Sequence, residues 1–204
     1  MLYAAPADLI EVRAEGDGSR TIAGKFPYGK TATLSDGGRR GRPRKERFAA
    51  RAFEYRVNDP AADIHLLFGH DYGKPLASKA SRTLSLRDGD DALTFEATIP
   101  PAVLETQHGR DALSLLSAGL AVGLSPGFRL PPERAVKDAE TVEREAQDPE
   151  AGDHGAIIRT VKAALLFELS IVTRPAFEQA QVEARRWQPD PPRRPIVPAH
   201  WRWR

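Results

Sequence analysis

Residues 163–172 read Ala-Ala-Leu-Leu-Phe-Glu-Leu-Ser-Ile-Val, and Glu168 is the only charged side chain between Lys162 and Arg174. As a strand, this run is apolar on both faces, which places it inside the protein. Burying a lone carboxylate there costs on the order of several kcal/mol unless something pairs with it. The fold must therefore bring an imidazole N–H, an arginine or backbone donors to Glu168. Two readings satisfy that demand: a reactive site, or a structural ion pair for which Arg174 is the candidate cation.

Two other segments also set a reactive side chain in or beside an apolar run: His65-Leu-Leu-Phe-Gly-His70-Asp71 and Gly123-Leu-Ser125-Pro-Gly-Phe128. With Glu168 they supply the imidazole, hydroxyl and carboxylate of a nucleophilic hydrolase site. His70 ends an apolar strand and follows Gly69, so its ring can face a groove. Asp71 is a poor orienting acid for it, because neighbouring strand residues point to opposite faces. The same parity puts His65, five positions earlier, on the other face from His70, which argues against a two-histidine metal site. No His-x-x-x-His spacing occurs, and His108, His154 and His200 fall in a helix, an acidic insertion and a tail. Neither a metal nor a cofactor is expected. The glycines around Ser125 let backbone approach closely and expose N–H groups that could receive an oxyanion; a plain Ser-Pro-Gly turn is the alternative. The stretch is not read as a nucleophile elbow, because Pro126 precedes Gly127 and the order His, Ser, acid differs.

Composition narrows the classes further. A length of 204 residues suits one domain with tails, or at most two small domains, and 41% hydrophobic residues suffice for one core. The absence of cysteine excludes disulfides, thiolate metal sites and a cysteine nucleophile, and fits a reducing compartment. The N-terminus lacks the pattern of a signal peptide, and no apolar run nears the ~20 residues that span a bilayer. A formal charge of +2 is too small to imply a nucleic-acid partner. One short motif competes: Arg40-Gly-Arg-Pro-Arg-Lys45 resembles an AT-hook core, the arm that lies in an A·T minor groove.

Along the chain, residues 37–51 are basic and glycine-containing and read as a solvated loop. Residues 131–155 are polar and read as a long insertion with a weak helical hint over 136–145. Residues 188–204 form a proline-rich tail ending Trp201-Arg-Trp203-Arg, suited to docking or self-removal or to a bland disordered role. Residues 1–187 constitute the domain. Strands are predicted over 20–26, 63–69, 120–130 and 156–172. A hairpin is predicted from 83–87 and 93–99, which alternate with period two around Asp88-Gly89-Asp90. A helix interrupted at Gly109 is predicted over 101–119 after Pro100-Pro101, and another over 176–186. The pattern is α+β, mainly β: an antiparallel barrel-like core with a few surrounding helices.

Taken together, the segments resemble the prohead (capsid maturation) serine proteases of tailed bacteriophages, from about Arg20 to about Trp187. The resemblance rests on Ile22-Ala-Gly, Phe48-Ala-Ala-Arg-Ala-Phe53, His70-Asp71, Gly-Leu-Ser125-x-Gly-Phe and Glu168-Leu-Ser-Ile-Val-x-x-Pro175-Ala176. It implies a fold shared with the herpesvirus capsid-assembly proteases. It implies His70 as base, Ser125 as nucleophile and Glu168 as orienting acid, with Gly127, Phe128 or Arg174 receiving the oxyanion. It implies the major capsid protein or a scaffold as substrate, together with the protease itself, inside an immature head in a bacterial cytoplasm. Self-association is left open. Two other classes stand beside it: a catalytically silent structural component of a capsid, and a DNA-binding module using Arg40 to Lys45.

Overall fold

The computed structural model describes residues 10–37, 42–121, 123–148 and 153–176. In chain order the early elements are β1 (Ile10–Ala14), β2 (Arg20–Pro27), β3 (Thr31–Ser35), β4 (Arg44–Phe48), α1 (Glu54–Asn58), β5 (His65–Phe68) and β6 (Asp71–Ser78). Next come β7 (Leu84–Asp88), β8 (Ala92–Ile99), α2 (Pro101–Leu104), α3 (Gln107–Ser117) and β9 (Gly123–Arg129). The last are β10 (Glu140–Arg144), β11 (Gln147–Asp148), β12 (Asp153–His154), β13 (Ile157–Val161) and β14 (Leu165–Val172). The strands form three four-stranded sheets, β1-β2-β8-β7, β10-β13-β4-β3 and β6-β5-β14-β9, and a two-stranded ribbon, β11-β12. The class is α+β with strands dominant, as expected. Among the described residues no barrel closes, and the sheets are not purely antiparallel: β14 pairs with β5, and β13 with β4, in parallel.

The β7–β8 hairpin follows the period-two pattern. Leu93, Phe95, Ala97 and Ile99 are buried while Thr94, Glu96 and Thr98 are exposed. The Gly89 N–H closes the turn on the Ala92 carbonyl at 3.0 Å. An aromatic cluster ties the sheets together. The Phe48 ring of β4 packs edge-on against Phe26 of β2 at 5.3 Å and against Phe128 of β9 at 5.0 Å. Phe53, ahead of α1, adds contacts at 5.1 Å to Phe48 and 6.1 Å to Phe128. Such pairs each contribute about 0.5–1.5 kcal/mol beyond area burial. A half-buried carboxylate reinforces the cluster: Asp88 accepts from the Tyr28 hydroxyl and, at 3.0 Å, from the Phe53 N–H.

Three segment readings need correction. The basic stretch is not a loop throughout, since Arg44–Phe48 is β4, paired on both sides. Its charges are matched across strands: Lys45 with Glu145 at 2.5 Å, Arg47 with Glu143 at 2.6 Å, and the buried Glu46 with Arg159 at 2.9 Å. The polar insertion likewise contains β10, β11 and β12. The helix after Pro101 breaks at Glu105 and Thr106 rather than at Gly109. Thr106 is the N-cap of α3, and its hydroxyl accepts from the Gly109 N–H at 3.1 Å. Apart from Ala176, the predicted helix over 176–186 lies outside the described residues, as does the tail over 188–204.

Gly109 is needed because α2 crosses it closely: a Cβ there would sit 2.0 Å from the Val103 carbonyl oxygen. Helix propensity alone predicts that Gly109→Ala gains about 1 kcal/mol. The clash opposes this with a cost of about 1–3 kcal/mol. Gly109→Ala is expected to lower Tm by several degrees in a thermal melt; a rise in Tm would contradict the packing account.

Candidate active site

His70 does not continue β5. Phe68 of β5 and Asp71 of β6 are paired, and Gly69 and His70 are the two residues between them. Both have positive φ, 70° and 59°. That is the sign pattern of a type I′ hairpin turn, which suits the strand twist but requires left-handed backbone at both central positions. Glycine adopts it freely; for histidine it costs about 1–2 kcal/mol. The turn is held against β14 by two hydrogen bonds. The Gly69 N–H donates to the Ile171 carbonyl at 3.0 Å, and the His70 N–H to the Ser170 hydroxyl at 2.9 Å.

Glu168 lies on the central strand of this sheet, between β5 and β9, and is 4% exposed. Both carboxylate oxygens are used. Oε1 lies 2.7 Å from His70 Nδ1, and Oε2 accepts from the Ser170 hydroxyl at 2.7 Å. Of the partners the sequence left open, the imidazole is the one found; Arg174 is not within ion-pair distance. Room for the carboxylate comes from Gly127, its partner on β9. A Cβ at position 127 would meet Oε1 at 2.0 Å. The glycine in that motif is thus required by the acid, a role separate from the oxyanion role expected of it.

Ser125 sits on β9 opposite Ser170, on the other side of β14 from the His70 turn. Paired residues in an antiparallel ladder are about 4.5–5.5 Å apart at Cα. Ser170 therefore neighbours both Ser125 and His70. The Ser125 hydroxyl makes no hydrogen bond to the imidazole in this structure, and His70 Nε2 has no partner among the described residues. Pro126 is accommodated because β9 is the sheet edge, where a missing N–H is tolerated. Gly123 at the start of β9 admits the Pro175 ring, which a Cβ would meet at 2.4 Å. This contact holds the exposed Arg174 beside the beginning of the serine strand. Phe128 turns its ring into the aromatic cluster.

The parity argument for the two histidines fails, because His70 belongs to a turn. His65 stands in register opposite Glu168, on the same face of the sheet, with its ring 5.9 Å from Tyr72 and Nε2 3.4 Å from Asp63. Asp71 is engaged with Lys74 and the Gly73 N–H rather than with His70. His108 bonds to the Pro75 carbonyl, and His200 lies outside the described residues. Among the described residues no group of three His, Asp or Glu could hold a metal ion, and no helix is long and apolar enough to cross a membrane. Arg40 and Gly41 of the AT-hook-like motif lie outside the described residues, whereas Arg44 and Lys45 are in β4 and Lys45 is ion-paired. That half of the motif is not a free arm. The residue missed in the sequence is Ser170; its signal was a polar side chain two positions from Glu168 and so on the same strand face.

Gly127→Ala is expected to push the carboxylate off His70, destabilising the fold by about 1–3 kcal/mol and removing the low-field imidazole N–H resonance that a short His–carboxylate bond produces in proton NMR. An unchanged spectrum and melt would show that Glu168 does not need that space.

Searches of curated proteins and of solved structures each returned no match. A family model described as caudovirus prohead serine protease matches residues 10–191, nearly the whole chain. On that match, which contains the imidazole, the serine and the buried carboxylate just described, the chain belongs to the caudovirus prohead serine protease family.

Proposed function

We propose that this chain is a serine endopeptidase of head maturation in which His70, Ser125 and Glu168 act as base, nucleophile and orienting acid. The observation that carries the proposal is the 2.7 Å contact from His70 Nδ1 to the buried Glu168. A carboxylate in that position fixes the tautomer that leaves Nε2 free to accept a proton, and it offsets the imidazolium charge that forms. Ser125 Oγ attacks the scissile carbonyl carbon as its proton passes to Nε2. The tetrahedral oxyanion is received by backbone N–H groups near Gly127 and Phe128 or by the Arg174 guanidinium. His70 then protonates the departing amine, and a water molecule, deprotonated by the same nitrogen, hydrolyses the acyl-enzyme. Catalytic hydrogen bonds to the nucleophile are often formed only with substrate bound, which fits an unengaged Ser125 here.

The family supports capsid or scaffold protein as substrate, and the protease itself as a second one, inside the immature phage head. Kinship of fold with the herpesvirus capsid-assembly proteases belongs to the same reading, as does a single domain through residue 187. Against a silent capsid component stand the presence of Ser125 and a His70 held in left-handed backbone on a buried acid.

Ser125→Ala is expected to abolish cleavage of coexpressed capsid or scaffold protein, scored by the mass of the product's new terminus, while Tm is retained. Normal processing by the folded variant would reject the nucleophile. Ser170 is assigned a positioning role, since one hydroxyl holds both the acid and the histidine turn. Ser170→Ala should lower kcat at least tenfold with KM little changed, the scale of a lost hydrogen bond to a charged group. A folded Ser170→Ala protein with wild-type kcat would remove that role.

A further inference from the structure

Next to Glu168, two guanidinium groups flank one aromatic ring. Arg56 Cζ lies 4.3 Å and Arg129 Cζ 5.5 Å from the centroid of Phe167. Phe167 falls at the register shift between Leu166 and Glu168, where β14 has one residue more than β9. Its ring stays outside the hydrophobic core. Neither arginine is within ion-pair distance of a carboxylate among the described residues. Glu168 is committed to His70 and Ser170, Asp63 to His65 and the Ala80 N–H, and Asp71 to Lys74 and the Gly73 N–H. Arg56 is fixed by one bond to the Asp63 carbonyl at 3.0 Å, and its Nε is buried with no acceptor. Arg129 is exposed. Burial first and then Glu168 raise the Tyr72 phenol above its ordinary range while Arg56 and Arg129 oppose this, which sets the exposed Tyr72 near both cations. Two unneutralised cations held against one ring make a shelf suited to a planar anion.

Its position relative to the nucleophile gives it a use. Ser125, Gly127 and Arg129 alternate along β9 and share a face. Four residues at about 3.3 Å each separate Ser125 from Arg129 by roughly 13 Å. Because β9 is the edge of its sheet among the described residues, an extended peptide can lie along it with its scissile bond at Ser125. A side chain about four residues from that bond then reaches the shelf.

We propose that Arg129 and Arg56, flanking Phe167, form a substrate subsite for an aspartate or glutamate side chain about four residues from the bond that is cut. The inference rests on the protease reading above and adds what the enzyme selects.

The test uses the full chain and a peptide library prepared from a bacterial lysate, with cleaved termini identified by mass spectrometry and the Ser125→Ala chain as blank. Asp and Glu should be enriched at one position three to five residues from the cut, on one side of it. For a cleaved sequence, a matched pair carrying Glu or Gln at that position should differ about tenfold in kcat/KM. Arg129→Gln should collapse that ratio towards one, and Arg129→Glu should shift the library preference to Lys and Arg. Cleavage without acidic enrichment overturns the subsite while leaving the protease reading intact. A Glu/Gln ratio unchanged in Arg129→Gln also overturns it. A wild-type chain that cuts nothing above the blank, on both the library and its capsid protein, overturns the protease reading and this inference with it.

Discussion

The Glu168 carboxylate is the constraint around which this part of the molecule is arranged. It is 4% exposed, on the central strand of a sheet whose other face is core. Removing such a charge from water costs several kcal/mol, and only good geometry on both oxygens offsets it. Three features that look unrelated in sequence answer to that need. Gly127 lacks the Cβ that would occupy the carboxylate's place. Ser170 supplies a hydroxyl to one oxygen. His70 accepts a left-handed backbone so that its Nδ1 reaches the other. Each of these is individually unfavourable or neutral for a strand; together they make the buried charge tolerable.

The same accounting explains which parts of the structure the sequence revealed. The β7–β8 hairpin was legible because one face of it is core, and period-two burial leaves a strong pattern. The need for a partner at Glu168 was legible because a lone charge in an apolar run has no local solution. Which partner it would be was not. His65 and His70 are both close to Glu168, and only the turn at Gly69 and His70 decides between them. Strand parity misjudged the pair because it assumes an unbroken strand. Two adjacent residues with positive φ leave one glycine as their only sequence trace.

The basic stretch failed as a loop for a different reason. In β4, Lys45, Glu46 and Arg47 find their opposite charges about 100 residues away, on β10, on β13 and just past β10. Read alone, such a segment has the composition of a solvated loop; its strand character exists only with its neighbours in place. Glu46 shows the cost. Burial and then Arg159 act in opposite directions on its carboxyl, and the net effect is upward from the ordinary carboxylate range. This sheet is therefore held by long-range charge pairing and parallel β4–β13 contact, neither of which leaves a local pattern.

The three candidate catalytic groups are also held with unequal firmness, and the reason is topological. His70 and Glu168 are linked directly, and both are tied to Ser170, so the candidate base and acid form one unit on the β5–β6 turn and β14. Ser125 is on β9, which among the described residues has a neighbour on one side only. Its alignment depends on the β14 ladder, on the register shift beside Phe167 and on Pro175 seated against Gly123. On the proposed assignment, a preformed base–acid pair beside a nucleophile on a sheet edge would divide the work. The buried half would fix tautomer and charge before substrate arrives, at the expense of strain already met by folding. The edge half keeps backbone groups available to an extended chain, which an enclosed strand could not do. Both halves meet at Ser170, whose hydroxyl bonds to the acid and accepts from the His70 N–H, and which pairs with Ser125 across the ladder.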